Sequence, residues 1–253
     1  MADLTLDVII IILLAAFIPS LLFMILVKNT ERRMREPTGI VFGGFLRGAT
    51  LSVVLAVLIE FILIYLIFGM ELLPAAELFG RNPAVMTLII ACIIAPFVEE
   101  LTKAVGILPL ARRAREIEDG IVFGAAVGLG FAATENFFYE TSAYLEGGTT
   151  LLVGTVIVRT ISSALLHASA SSIVGYGLTS KRFLGKSWIM YYLLAVLLHG
   201  MFNLLASSGP LLEGSVGEIS YLLVLLIAIG LAFGAFSWSR RKIRRIESMG
   251  IGG

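Results

Sequence analysis

Several charged and strongly polar side chains lie inside long apolar runs of this sequence. The first group contains Glu99, Glu100 and Lys103. On a helix, Lys103 would lie four residues after Glu99 and three after Glu100, so it can neutralise one carboxylate and leave the other for chemistry. The later apolar runs contain Glu135, Asn136, Arg159, His167, His199 and Asn203. In a bilayer each ionisable group costs at least about 2.5–3.5 kcal/mol, so this cluster indicates a functional site.

Carboxylates, imidazoles and a side-chain amide in one restricted cavity suit hydrolysis. A carboxylate can activate water, and hydrogen-bond donors can stabilise an oxyanion. A serine or cysteine nucleophile is less well supported, because the serines around His167 are typical of packed membrane helices and Cys92 has no histidine beside it. Two other classes use the same residues: a proton-coupled transporter with a Glu/His relay at the midplane, and a non-catalytic membrane binding protein. Hydrolysis of a substrate bond by the purified protein would distinguish a hydrolase from both.

The elements that position these residues are predicted to be transmembrane helices. The chain has 253 residues, 58% of them hydrophobic and 15% charged, and a mean hydropathy of +0.97. Crossing about 30 Å of hydrocarbon takes roughly 20 helical residues. Runs of that length are predicted to span the bilayer at about 6–27, 45–69, 84–111, 120–140, 149–178, 188–206 and 219–239. We therefore predict an all-α, polytopic transmembrane helical bundle of about seven spans, forming a single membrane domain over residues 1–253.

The positions of lysine and arginine predict how this bundle is oriented. With the N-terminus outside, fifteen of the nineteen basic residues fall in cytoplasmic loops or in the tail, and only Arg81 lies in a loop on the other side. The positive-inside rule favours this arrangement, which makes the C-terminus cytoplasmic in a multi-pass protein of the cell membrane. The basic clusters have no aromatic residues interleaved for base stacking, so no nucleic acid partner is expected.

The depth of the polar residues predicts that they meet. At a rise of 1.5 Å per residue, the position of a residue in its predicted span gives its distance from the midplane of the bilayer. On this scale the residues within about 8 Å of the midplane are Glu99, Glu100, Glu135, His167 and His199. Arg159 lies at a depth similar to that of Glu135 on the next span, and we predict that these two side chains pair, because an unpaired charge there is expensive.

Other residues in the spans are expected to have structural roles. Gly120, Gly124 and Gly128 are spaced four residues apart in the fourth span, which predicts close packing against another helix. Arg47 and Glu60 in the second span are expected to pair structurally or to extend towards the interface.

A series of short motifs resembles the PrsW family of intramembrane proteases. In order, the motifs are Glu99-Glu100-Leu101-Thr102-Lys103, Asp119-Gly120, Gly128-Leu129-Gly130-Phe131-Ala132, Glu135-Asn136-Phe137-Phe138-Tyr139, Arg159 with His167-Ala168, and His199-Gly200-Met201-Phe202-Asn203. They cover about residues 96–205, where the catalytic motifs are expected. The family is distantly similar to the CAAX prenyl proteases and the bacteriocin-processing enzymes, which share a double-glutamate span and an HxxxN span.

The resemblance implies an endopeptidase that cuts a membrane-anchored protein substrate, for example an anti-sigma factor, within or beside the lipid bilayer. By analogy, Glu99 would be the general base on water and Glu100 its partner, held by Lys103. The CAAX-type pattern has an arginine four residues after its second glutamate, whereas Lys103 comes three residues after Glu100. Either Glu99 or Glu100 therefore remains a candidate for the free carboxylate.

The resemblance also implies roles for the histidines, in two alternative schemes. In a metal-free Glu/His mechanism, His167 would assist the base, and His199 with Asn203 would bind the oxyanion. In a metal mechanism, Glu135, His167 and His199 would be two histidine ligands and one carboxylate ligand of Zn²⁺ or a similar divalent ion, with one of the paired glutamates as base. The sequence thus predicts an intramembrane peptide hydrolase of the metallo or glutamate type.

The predicted orientation can be tested with topology reporters. Fusions after residues near 36, 115, 183 and 245 should report the cytoplasm, and fusions near 76, 145 and 212 the opposite side, because the basic residues favour this arrangement. Reporter activity in cells is the measurement. Two or more loops that report the reverse side would contradict the seven-span topology.

Overall fold

A computed structural model describes residues 3–32, 34–69 and 82–249, and in these ranges the secondary structure is helical, without strands. The α-helices are α1 (Leu6–Lys28), α2 (Thr38–Arg47), α3 (Val53–Ile64), α4 (Pro83–Ile89), α5 (Ala95–Ala111), α6 (Asp119–Ile161), α7 (Ser163–Leu184), α8 (Ile189–Ser207), α9 (Gly209–Val216) and α10 (Ile219–Met249). Short π-helical turns cover Gly48–Ser52, Tyr65–Gly69 and Ile90–Ile94. The predicted all-α class is therefore confirmed.

Within the described residues, six segments are long and apolar enough to cross a membrane. They are Leu6–Lys28, Thr38–Phe68, Pro83–Ala111, Asp119–Leu184, Ile189–Ser207 and Ile219–Met249. The fourth segment has 66 residues and contains both the fourth and the fifth predicted span. Its backbone leaves the helical conformation at Gly147 and at Gly148, where φ is +63°. Glycine tolerates this left-handed conformation at little cost, and the chain reverses direction there.

The two arms of this long segment pack in antiparallel fashion through small residues. A Cβ atom on Gly120 would overlap the carbonyl oxygen of Gly175, and one on Gly128 would overlap the carbonyl oxygen of His167. Gly124, halfway between, has the same relation to Ser171. For each step of four residues from one glycine to the next, the contacted residue lies four residues earlier in the chain, as in antiparallel helices. The predicted close packing of the glycines is confirmed, and it brings His167 against the helix that carries Glu135.

A π-helical turn at Ile90–Ile94 joins α4 to α5 and makes one continuous span of them. Such a turn breaks the regular ladder of backbone hydrogen bonds and often occurs at functional sites. The side-chain amide of Asn203 donates to the carbonyl oxygen of Ala91 in this turn over 2.7 Å. This bond fixes the end of α8 against the third span.

The bundle has the inside-out pattern expected of a protein in lipid. Large apolar side chains such as Phe61 and Leu197 are exposed on its outer surface. The interior of α7 instead contains small and hydroxyl-bearing residues, among them Ser169 and Ser171. Small residues let membrane helices approach closely, which leaves room for polar groups between the spans.

The basic loops meet at one end of the bundle. Arg115 pairs with Glu36 at 3.1 Å, and Arg182 donates to the carbonyl oxygens of Ala111 and Arg112. Helix α10 reaches the same end, where Arg240 donates to the Thr30 hydroxyl over 3.2 Å. The loops predicted to be cytoplasmic therefore lie together. Which compartment this end faces stays a prediction.

Replacing Gly128 with alanine should destabilise the protein, since the new methyl group would overlap the His167 carbonyl and force α6 and α7 apart. A loss of about 1–3 kcal/mol is typical of overpacking, measurable by thermal unfolding in detergent. Gly154→Ala is the matched control, because a Cβ atom there has no neighbour within 4 Å. Equal unfolding temperatures for the two variants would contradict the close approach of the helices.

Candidate active site

Lys103 lies at the centre of the polar cluster, and its side chain is completely enclosed. Its ammonium nitrogen Nζ is 3.0 Å from Glu99 Oε2, 2.9 Å from Glu100 Oε1 and 2.7 Å from His167 Nδ1. An ammonium has three N–H donors and no acceptor, so each donor of Lys103 has one partner. Lys103 was expected to neutralise one carboxylate and leave the other for chemistry; in the structure its Nζ atom contacts both.

Glu100 is fully buried and saturated with hydrogen bonds. Its Oε1 atom accepts from Lys103 and also from His199 Nδ1 at 3.0 Å, while its Oε2 atom accepts from the Ser171 hydroxyl at 3.4 Å. Because the Nδ1–H of a neutral His199 is used in this way, its Nε2 atom carries a free lone pair. That nitrogen lies 3.9 Å from Glu99 Oε2.

His167 connects the lysine to a second ion pair. Its Nδ1 atom accepts from Lys103, so the proton of the neutral ring is on Nε2, which donates to Glu135 Oε2 over 2.9 Å. Glu135 Oε2 also pairs with Arg159 at 2.6 Å, which confirms the predicted contact between these two residues. The guanidinium of Arg159 donates further to the side chains of Asn136 (2.8 Å) and Ser163 (3.1 Å).

A cavity of about 510 Å³ opens beside this network. Glu99, Glu135 and His167 line one end of the cavity, and Thr87 and Ser207 line the other. Thr87 lies in the short helix α4, and Ser207 is the last residue of α8. Since α5 runs away from α4 to the basic loop at its C-terminus, the cavity extends towards the end of the bundle opposite the basic loops.

The predicted convergence of the polar residues is confirmed, with differences in how each one faces the cavity. Glu99, Glu135, His167 and Asn203 contribute to its wall, whereas Glu100 is among the groups behind it. Glu99 and Glu100, which the sequence leaves equivalent, therefore differ in access to a substrate.

Among the described residues, the carboxylate grouped with the two histidines is that of Glu99. One ligand atom each from Glu99, His167 and His199 lie within 4.8 Å of one another, as in a group that could hold a metal ion. The ligand set predicted from the sequence contained Glu135 in place of Glu99. In the structure Glu135 binds Arg159 and the outward-facing Nε2 atom of His167, so it contacts one histidine of the pair.

The sequence interpretation missed two residues in the wall of the cavity. Glu60 on α3 was expected to pair structurally or to extend towards the interface. It lines the cavity instead, and no hydrogen bond or ion pair of its side chain is found within residues 3–32, 34–69 and 82–249. Tyr139 stacks under the Arg159 guanidinium, with 3.8 Å between Cζ and the ring centroid. The signal for Glu60 was its charge inside an apolar run. The signal for Tyr139 was its place at the end of the motif that begins at Glu135, to which no role was assigned.

A bundle of membrane-spanning helices that encloses carboxylates, histidines and a cavity has the groups that an intramembrane hydrolase needs, since they can activate water away from bulk solvent. The sequence profile described as "PrsW family intramembrane metalloprotease" matches residues 36–232. The chain belongs to this family. The predicted resemblance is thus confirmed, and the protein is a multi-pass intramembrane protease of the cell membrane, which goes against the transporter and binding-protein alternatives.

Two relatives show the extent of the similarity. Protease PrsW of Clostridioides difficile (strain 630) is 28% identical over 199 residues, which cover 75% of this chain and 76% of that protein. Protease PrsW of Shouchella clausii (strain KSM-K16) is 33% identical over 94 residues, 36% of this chain and 40% of that protein. No solved structure matches the chain at a significant level.

Replacing Arg159 with methionine should leave Glu135 without its cation. We expect a loss of about 1–3 kcal/mol in unfolding free energy, the usual penalty for a poorly satisfied buried group, measured by unfolding in detergent. The double variant Arg159→Met/Glu135→Gln should recover part of that loss, with a coupling energy of about 0.5–3 kcal/mol. Purely additive effects of the two substitutions would show that the ion pair contributes nothing.

Proposed function

We propose that this protein is an endopeptidase that hydrolyses a peptide bond in a membrane-anchored protein, with the attacking water activated at Glu99. The observation that supports this most directly is the position of Glu99. It is the member of the double glutamate that lines the cavity, and its Oε2 atom faces both histidines at 3.9 Å. A carboxylate in that position can reach a water molecule beside a bound peptide.

The remaining residues of the network have supporting roles in this proposal. Lys103 positions the carboxylates of Glu99 and Glu100 by donating a hydrogen bond to each. Glu100 holds the ring of His199 through Nδ1, and Glu135, itself held by Arg159, holds the ring of His167 through Nε2. These contacts fix the tautomer and direction of each imidazole.

The carbonyl oxygen of the substrate needs a hydrogen-bond donor as it becomes an oxyanion. Asn203 lines the cavity and uses its amide nitrogen for the Ala91 carbonyl, which leaves one N–H of that group for the substrate. His199 is less suited to this task, because its Nδ1–H is used by Glu100 and the free Nε2 lone pair is an acceptor. We therefore assign the oxyanion contact to Asn203.

The family description implies a metal ion, and the donor set fits one. Glu99, His167 and His199 offer one carboxylate and two imidazoles, as catalytic zinc sites do, and His199 presents a free lone pair. A divalent ion bound there would act as a Lewis acid and lower the pKa of water. The Lys103 ammonium, now bonded to Glu99 and His167, would have to withdraw. In this alternative Glu99 would be a ligand and not the base, and Glu135 would be the carboxylate of the cavity wall left to accept a proton.

The direction of the cavity bears on which substrates can be cut. It opens towards the end opposite the basic loops, where α4 begins and α8 ends. Under the positive-inside rule that end faces away from the cytoplasm. A single-span protein with a short extracytoplasmic segment, such as an anti-sigma factor, could place the segment beside its span in the cavity. We also propose that the chain forms one membrane domain and that its catalytic groups lie in residues 96–205.

Glu99→Gln should reduce cleavage at least about 10²-fold, since an amide cannot take up the proton that a general base removes. The measurement is kcat/KM of purified protein on a single-span substrate in detergent, with thermal unfolding as the check of folding. Glu140→Gln is the matched control, because Glu140 is also buried, lies off the cavity wall, and has no hydrogen-bond partner for either carboxylate oxygen among the residues that the structure describes. Near-normal cleavage by the Glu99 variant would remove this residue from the mechanism.

Metal analysis tests the proposed ligands. The alternative in which Glu99 is a metal ligand predicts about one equivalent of zinc or a similar ion per purified chain, lost together with cleavage on chelation and restored with added metal. Glu99→Gln, His167→Ala and His199→Ala should lose the ion, and Glu135→Gln should retain it. Loss of the ion from the Glu135 variant would favour the set predicted from sequence. Full activity with less than about a tenth of an equivalent would favour the metal-free mechanism.

A further inference from the structure

Glu60 is a charged residue of the cavity that the chemistry described above does not use. It lies on α3, in the second span, and its half-buried side chain contributes to the cavity wall together with Glu99 and Glu135. Its Oε1 atom is enclosed by the protein and has no hydrogen-bond partner in the described part of the chain. An ionised carboxylate without a partner costs free energy in this environment, and a ligand that pairs with it would reduce that cost.

The cations near the cavity are already occupied by other carboxylates. Lys103 directs its three donors to Glu99, Glu100 and His167. Arg159 binds Glu135 and two neighbouring side chains. No ion pair to Glu60 occurs in residues 3–32, 34–69 and 82–249. In the described part of the chain, the cavity wall thus contains a carboxyl group without a counter-ion, with which a positively charged ligand can form an ion pair and an apolar or anionic ligand cannot.

We propose that Glu60 is a specificity-determining residue, which binds a lysine or arginine side chain of the substrate close to the bond that is cut. This inference rests on the proposed protease function. A substrate enters the cavity from its open end. Because α3 forms one side of this cavity, a side chain of the substrate can reach Glu60. A cationic side chain would gain a counter-ion in a region of low dielectric constant, where charge pairing is strong.

The test uses versions of one single-span substrate that differ at a single residue, lysine, glutamine or glutamate, placed at each of the three positions on either side of the cleaved bond. Cleavage by purified protein in detergent is followed as kcat/KM. At one or more positions the lysine version should be cut at least about tenfold more efficiently than the glutamine version. Glu60→Gln should abolish this preference, Glu60→Asp should keep part of it, and Glu60→Lys should favour glutamate.

Glu140→Gln is again the matched control, and it should keep the full preference for lysine. A structural role for Glu60 would give a different pattern, because all versions would then be cut more slowly by the same factor in the Glu60→Gln protein. That result, or a wild-type enzyme that does not distinguish lysine from glutamine at any position, would overturn the proposal.

A binding measurement separates this inference from the protease function itself. Labelled lysine and glutamine peptides are titrated into the Glu99→Gln protein, with and without Glu60→Gln. A preference for the lysine peptide that disappears in the double variant supports recognition by Glu60 even if the wild-type protein cuts none of the substrates. Equal binding of both peptides to the Glu99→Gln protein overturns the recognition proposal, and leaves the hydrolytic function to the cleavage assay.

Discussion

The ammonium of Lys103 is enclosed in the membrane-spanning part of the protein, where no bulk water can hydrate it. It must therefore find its acceptors within the protein, and the three it finds come from two helices: Glu99 and Glu100 on α5, and His167 on α7. A buried charge missing one such partner would be strongly destabilising. This requirement fixes the relative position of α5 and α7, and so the geometry on which the other polar contacts depend.

The packing of the helices follows from the same constraint. Hydrogen bonds of about 3 Å across the bundle require that α6 and α7 approach closely, and the glycines at four-residue intervals make that approach possible. The large apolar side chains then lie on the outer surface, where lipid replaces water as the solvent. The reversal at Gly147 and Gly148 turns one long segment into two antiparallel arms, which places Arg159 beside Glu135.

The network also divides similar residues into different tasks. Glu100 and Glu135 each hold a histidine ring, while Glu99 faces the cavity and both rings. In the proposed mechanism the double glutamate thus combines one positioning residue and one catalytic residue, distinguished by which of them lines the cavity. Glu60 on α3 adds a further carboxyl group to the wall of the same cavity. Activation of water and recognition of the substrate are in this view assigned to separate carboxylates of one cavity.

The sequence alone determined the membrane class, the approximate spans, the family and the residues that converge, because apolar length and the cost of buried charge are local properties. It also predicted the pairing of Arg159 with Glu135. The tertiary structure decided which glutamate faces the cavity, that Lys103 serves two carboxylates, and that Glu99 lies with both histidines. These facts depend on helix rotation and on distances of a few ångström between separate helices, which residue spacing along one helix does not contain.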